Sequence, residues 1–411
     1  MIRPPTRRTL LGAGLAAAAA PARARAAAPP IRLGVLASLS GAYTDADGQG
    51  AVIAVRMAVE DVRADHPEIR VEVLAADMQD KPDVGAGIAR AWLDRDGVDA
   101  IVDVPNSAVA LAVASIVAER DRVALFSGPA TAVLTGASCG ANHVHWTYDT
   151  WALAASTGRA VVADGGNSWF FISADYSFGK QMQADTTRFV TEAAGRVLGS
   201  AAYPFPETTD FSAYLLQARA SGADVIALVM SGSDMSNCLK QAAEFGIGRA
   251  GGQRLAAPLM LITNVHAVGL EAAQGLVLTE PFYWDLTDGT RAFTARFAPQ
   301  YRGIHPSMAH AGAHSATLHY LKAVASLGVD TARASGSATV ARMKAMPTDD
   351  PLFGKGSVRA DGRKLHDMYL FRVTSPRESR YPWDYYRLLR TIPAAQAFRP
   401  LAEGGCRLIP A

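Results

Sequence analysis

The sequence has few cysteines, no long apolar run beyond its first residues, and none of the short motifs that carry covalent chemistry or nucleotide binding. Three cysteines, Cys139, Cys238 and Cys406, are spread over 411 residues without a C-x-x-C pair, which argues against a zinc ribbon or a dithiol redox site. No G-x-S-x-G elbow, G-x-x-x-x-G-K-[ST] loop or G-x-G-x-x-G fingerprint occurs; Gly85-Ala-Gly87 and Gly48-Gln-Gly50 lack the third glycine. Past the N-terminus no apolar run is long enough to span a bilayer. Charge is sparse at 19% and nearly balanced. Five of the basic residues lie in residues 1–28, which have no acid. The rest of the chain carries 35 basic against 38 acidic residues, a net charge of −3, so no nucleic-acid partner is expected.

Residues 1–28 read as an export signal. Arg7-Arg8 precede Thr9-Leu10-Leu11, an apolar stretch follows to Ala20, and Ala24-Arg25-Ala26 and Ala26-Ala27-Ala28 are cleavage candidates. The paired arginines point to the twin-arginine route and a periplasmic location. An oxidising compartment permits one disulfide. Cys238 shares an apolar helix face with Met235, Leu239 and Ala242, which suits a buried free thiol and leaves Cys139 and Cys406 as the candidate bridge.

After the signal, strand and helix patterns alternate. Strands are predicted at 31–37, 71–75, 100–104 and 123–126, with helices over 47–62, 84–93 and 108–118 between them. The rhythm resumes with strands at 169–172, 196–203, 225–230, 259–262 and 276–278, and helices over 178–193, from 210, and over 234–245. Two helical patterns, 291–301 and 306–327, precede a mixed tail with strands at 356–360 and 367–373. This predicts an α/β protein with two doubly wound parallel-sheet units.

In such sheets ligands bind beyond the carboxyl ends of the strands. Those ends here carry Ser40, Asn106, Ser107, Ser127, Gly128, Ala130, Thr131, Tyr176, Asp234 and Asn264, mostly small polar residues and glycines at helix starts. The set suits a polar or anionic head group, although Asn106, Ser107 and Asp234 also read as helix caps. His310-Ala-Gly-Ala-His314 has helical i,i+4 spacing but no glutamate and no third ligand, so it reads as a polar stripe on a helix, and no metal or cofactor is expected. His143 and His145 alternate along a strand. Asp149 and Asp175 lie near strand ends without a nucleophile to serve, so no enzyme activity is expected.

The segments "IRLGVLASLSGAYTDADGQGAVIAVRMAVED", "VPNSAVALAVASIVAERDRVALFSGPATAVLT", "HVHWTYDT", "ADYSFG", "LKQAAEFGI" and "YPWDYYRLLRTIPAAQAFRPL" together resemble the type I periplasmic solute-binding proteins of the Leu/Ile/Val-binding family, which serve ABC importers. The last two resemble the branch for amides and aromatic acids. The resemblance implies two lobes joined by three chain crossings, near 148–151, 280–284 and 351–356, that close around a ligand. Lobe 1 would comprise 29–148 and 281–355, and lobe 2 would comprise 149–280 and 356–411 with the C-terminal segment. It implies a small carboxylate or amide ligand, amino-acid-like or aromatic, delivered by a monomer to a permease in the inner membrane. The alternative is a sensor that reports to a membrane partner. By resemblance, Ser107, Ala130 and Thr131 hold the ligand's carboxylate and amino group, and Tyr176 closes over it from the other lobe. Tyr148 stands at the first crossing as a further ligand contact. The chain departs from the family at Thr263-Asn264-Val265-His266, where the acid that pairs with a ligand ammonium is missing; Asp234 either replaces it or caps its helix. Trp146, Tyr148 and Trp151, with Phe282, Tyr283 and Trp284, line a flat apolar pocket or pack the hinge.

Overall fold

The computed structural model describes residues 1–2, 29–248 and 252–409; the export signal therefore lies almost wholly outside the described residues. The first unit runs β1 (Ile31–Ala37), α1 (Gly48–Asp65), β2 (Val71–Asp77), α2 (Pro82–Asp94), β3 (Ala100–Asp103), α3 (Ser107–Glu119), β4 (Val123–Phe126) and β5 (His143–His145). Its five strands are parallel, in the order β2-β1-β3-β4-β5. The strand β1 is almost wholly buried, so it needs apolar residues on both faces, and its sequence IRLGVLA supplies them.

The second unit runs α4 (Thr150–Ala163), β6 (Ser168–Ala174), α5 (Ser177–Glu192), β7 (Arg196–Tyr203), α6 (Ser212–Ala220), β8 (Val225–Val229), α7 (Gly232–Glu244) and β9 (Arg254–Ala256), again all parallel, in the order β7-β6-β8-β9. Helices α8 (Ile262–Val268) and α9 (Leu270–Ala273) lead to β10 (Val277–Glu280). Then follow α10 (Asp288–Phe297), α11 (Met308–Leu327), α12 (Val329–Ala334) and α13 (Gly336–Ala345). The tail forms β11 (Thr348–Asp350), β12 (Gly354–Val358), β13 (Lys364–Leu365), β14 (Met368–Val373) and β15 (Tyr386–Ile392). Antiparallel β14 pairs with both β10 and β15.

One predicted strand is corrected. Residues 259–262 form no strand; the fourth strand of the second sheet is Arg254–Ala256, and a helix begins at Ile262. The apolar run Leu259–Ile262 is buried against the core but supplies no ladder, because the Asn264 side chain turns the chain into α8 by accepting the Leu261 N–H at 3.0 Å. The histidines at 310 and 314 lie on one helix, α11, and are buried on the face that packs against α1. His310 Nε2 bonds the Asp47 carbonyl at 2.9 Å, and His314 Nε2 bonds Asp61, at 2.9 Å. Of the aromatic residues at 146–151 and 282–284, Tyr148 faces the cavity described below, and the others are packed within the fold. Trp151 meets Phe189 edge-on at 4.9 Å, Trp146 donates to Ser315, and Tyr283 and Trp284 both donate to the Trp383 carbonyl.

Cys139 and Cys406 are bonded, with Cα atoms 5.6 Å apart, and Cys238 is free and buried. The bridge ties the chain's end to the first unit, beside the Arg399 side chain, which donates to the Ala132 carbonyl at 3.0 Å. It closes a loop of 267 residues, so Cys406→Ser is expected to lower stability by about 2–5 kcal/mol, checked by urea unfolding with and without reductant. Asp61 is held by Arg296 at 2.6 Å as well as by His314. Partial burial raises its pKa, but these bonds outweigh burial and lower it to about 2. Its contribution is therefore present above the unfolded carboxylate range and is lost as pH falls through about 2. Asp61→Asn should cost about 1–2 kcal/mol at pH 7, after allowance for solvent screening, and much less at pH 2. Unfolding curves at the two pH values measure the difference.

Candidate functional site

Strand order reverses between β1 and β3 in the first sheet and between β6 and β8 in the second. A parallel sheet leaves a crevice at such a point, beyond the strands' carboxyl ends. The two crevices face each other. Between them lies a cavity lined by Tyr43, Asp47, Ser107 and Tyr148 from the first unit's side and by Tyr176 and Phe178 from the second, with Gly128, Ala130, Ser231, Leu259 and Leu261 among the remaining walls. Its free volume is about 10 Å³, near the least that holds one water molecule. The units thus meet closely. The Tyr43 and Tyr176 hydroxyls hydrogen-bond across the gap. The Ser233 N–H donates to the Ala42 carbonyl at 2.8 Å. Gly232 has φ +61°, and a Cβ there would overlap the Ala42 carbonyl oxygen, so both its backbone and its neighbour demand glycine.

Of the residues read from the sequence, Ser107, Gly128, Ala130, Tyr148 and Tyr176 line the cavity. Ser107 stands at the first position of α3; its Oγ accepts the Thr131 N–H at 3.3 Å. Tyr148 spends its hydroxyl on the Gly128 carbonyl at 2.6 Å and offers its ring. A side chain on Gly128 would stand 2.8 Å from Pro105 Cα, so this strand end also requires glycine. Tyr176 precedes α5 without capping it; its ring stacks on Phe205 at 4.5 Å. Burial and the neighbouring hydroxyl push the Tyr43 phenol up; burial does the same to Tyr176.

The other six do not line the cavity, and each makes hydrogen bonds within the fold. Ser40 is exposed and bonds Asp77 at 2.5 Å. The Asn106 Oδ1 accepts the Ala108 and Val109 N–H groups, capping α3. Ser127 donates to Asp103 at 2.9 Å. Thr131 caps the short 3-10 turn Ala132–Thr135. Asp234 accepts from the Tyr203 hydroxyl at 2.8 Å and is pushed up to about 6 by burial. Asn264, in α8 rather than at a strand end, donates to the Gly232 carbonyl and to Ser236. Asp149 caps α4, and Asp175 pairs with Lys180 at the surface.

Sequence reasoning missed Tyr43 and Asp47. Asp47 stands just before α1, where an aspartate ordinarily caps the helix, yet it makes no capping bond. Its carboxyl instead meets that of Asp103, at the end of β3. Asp103 and Val104 both have positive φ, +81° and +59°, an uncommon conformation for any residue with a Cβ and a strained one for valine. Asp80 lies close by, held by Ser38 at 3.0 Å and pushed up to about 7 by burial. Burial, followed by the mutual repulsion of the pair, raises Asp47 well above the carboxylate range; burial also raises Asp103. Among the described residues no group of three or more His, Cys, Asp or Glu is placed to hold a metal ion.

A family model described as periplasmic binding protein matches residues 30–378. A solved periplasmic binding protein from Burkholderia mallei is 41% identical with a TM-score of 0.88, over 92% of this chain and 99% of that one. A branched-chain amino acid ABC transporter periplasmic ligand-binding protein from Burkholderia xenovorans is 38% identical with a TM-score of 0.79, over 92% and 99%. An ABC transporter solute-binding protein from R. palustris, solved with benzoate, shares the fold at 19% identity and a TM-score of 0.80, over 92% and 100%. No curated protein matches the chain. No helix among the described residues is long and apolar enough to cross a membrane. With its paired parallel sheets and the cavity between them, the chain belongs to the periplasmic binding protein family, whose members bind solutes without transforming them.

Proposed function

We propose that this chain is the solute-binding component of an ABC importer, exported through the twin-arginine route and acting as a monomer on an inner-membrane permease. Its ligand is a small carboxylate or amide, amino-acid-like or an aromatic acid. Lobe 1 comprises 29–148 and 281–355, and lobe 2 comprises 149–280 and 356–411. The observation that carries this reading is the cavity at two opposed switch points, at whose edge the Tyr43–Tyr176 hydroxyl pair and the Ser233–Ala42 backbone bond join the two sides. Contacts of this kind at the cavity are weak enough to part and strong enough to favour closure once a ligand adds its own, while the Cys139–Cys406 bridge holds the lobes together away from it. Ser107, at the start of α3, offers a hydroxyl to a polar end, and the rings of Tyr43, Tyr148, Tyr176 and Phe178 cover an apolar body.

A thermal-shift screen over amino acids, amides and aromatic acids tests the reading. At least one solute is expected to raise Tm without being consumed. Turnover of a solute, or the absence of any stabilising compound, would overturn it. Closure has its own test. Gly232→Ala should push the lobes apart, because its methyl occupies the place of the Ala42 carbonyl. The radius of gyration from small-angle scattering should rise while the circular dichroism stays native. Tyr176→Ala should raise the ligand's dissociation rate more than it lowers the association rate, as closure follows docking. Apo unfolding lowered by the ~3–5 kcal/mol of a deleted core aromatic, with unchanged affinity, would instead make Tyr176 structural.

A further inference from the structure

The aspartates of the first unit fall into two kinds. Asp121 accepts from Ser335 Oγ, the Ser337 N–H and Asn142, and these bonds outweigh burial and hold it down to about 2. Asp99 takes the Arg32 N–H and the Arg333 guanidinium. These carboxylates are satisfied by the fold. Asp47, Asp80 and Asp103 are more deeply buried, at 2%, 3% and 0% exposure, and each keeps one oxygen without a hydrogen-bond partner. Of the three, only Asp47 lines the cavity.

The groups around Asp47 offer it no cation. Asp103 and Asp80 are acids. His310, from α11, is neutral near pH 7, since burial lowers its pKa to about 4, and its Nε2 is already committed to the Asp47 carbonyl. Tyr148 and Tyr301 are phenols. The cavity lining contains no lysine, arginine or histidine, while four aromatic rings, Tyr43, Tyr148, Tyr176 and Phe178, contribute to it. A buried carboxyl that faces another acid and keeps one oxygen without a hydrogen-bond partner, beside aromatic rings, is an environment for a positive nitrogen: the oxygen accepts its N–H, and the ring faces attract its charge. A plain carboxylate would meet a buried acid and no counter-charge.

Given the solute-receptor reading, we propose that Asp47, backed by Asp103, selects a ligand carrying a protonated nitrogen, an amine or a zwitterionic amino acid, over a simple carboxylate. In the unliganded site the two carboxyls share a proton between them. The ligand's ammonium takes the proton's place against Asp47, and the proton leaves to solvent.

Three probes with one ring and one tether separate the charge types: 2-phenylethylamine, L-phenylalanine and 3-phenylpropanoate. Calorimetry at pH 7 should show binding of the amine or the amino acid in preference to 3-phenylpropanoate. Asp47→Asn should weaken the nitrogen-bearing probe roughly tenfold to a hundredfold, the loss of one hydrogen bond to a charged group, and should leave 3-phenylpropanoate no weaker. A second measurement needs no ligand. The raised carboxyl makes the folded protein hold more protons than the unfolded chain, so wild-type stability is lost as pH rises from about 4 toward neutrality. Asp47→Asn removes part of that loss, and its Tm should exceed the wild type's at pH 8 and approach it at pH 5. The proposal is overturned if 3-phenylpropanoate binds best, if Asp47→Asn leaves nitrogen-bearing ligands unaffected, or if Asp47→Asn lowers Tm at pH 8, which would make the carboxylate structural. A wild-type protein that binds no solute of any charge strikes the receptor reading instead, while the Tm comparison still decides whether Asp47 is held in reserve.

Discussion

The site depends on one constraint: the carboxyl ends of β1 and β3 must face those of β6 and β8. Each sheet alone leaves an open crevice. Set opposite each other, the two crevices make a cavity whose walls come from loops and helix starts, and the loops must be small for the backbones to meet. The glycine at 232 lets a helix start touch the Ala42 carbonyl, and the glycine at 128 lets β4 end beside Pro105. The left-handed turn at Asp103 and Val104 belongs to the same requirement. Strain at these positions is held in place by the buried sheets behind them, where β1 and β3 are almost entirely inaccessible to water.

Much of this architecture was legible in the sequence, because parallel strands buried on both faces must be apolar and the helices between them keep an apolar stripe. The strand Ile31–Ala37 and the helix Ser107–Glu119 declare themselves in this way. Where an apolar run is short, the signal fails. Leu259–Ile262 is buried whether it pairs in a sheet or leads into a helix, and only the Asn264 side chain, folding back onto Leu261, decides the matter.

The site was legible in part, for a related reason. Small polar residues at strand ends serve equally as caps and as ligand contacts, and the sequence does not separate the two. Asn106 and Thr131 make capping bonds and do not line the cavity, while Ser107 beside them does. An aromatic residue at a helix start carries more information, because no cap needs a ring; Tyr176 stood out on that ground, and it lines the cavity. Asp47 was hidden by the opposite logic. An aspartate before a helix looks like a cap, and its true neighbour, Asp103, comes from a different strand. Only the fold brings the two together.

The aspartates near the first unit differ in what their charge does to stability. Asp121 and Asp99 knit distant segments of the first unit, each accepting hydrogen bonds from the stretch between α12 and α13 or from Arg333 within α12, and each is fully used. Asp61 does the same between α1 and α11. Such carboxylates strengthen the fold by being charged. Asp47 does the reverse: charging it in the folded state is costly, because burial removes water and Asp103 opposes a second negative charge. A core of this size tolerates that cost because its sheets, its packed α1–α11 pair and its disulfide supply stability elsewhere. The cavity, with free volume of about 10 Å³, shields this carboxyl from bulk water and leaves it another acid, Asp103, as its close partner. On the proposed reading a ligand's ammonium would supply the counter-charge that Asp103 does not, a differential contact that would favour the closed, liganded form.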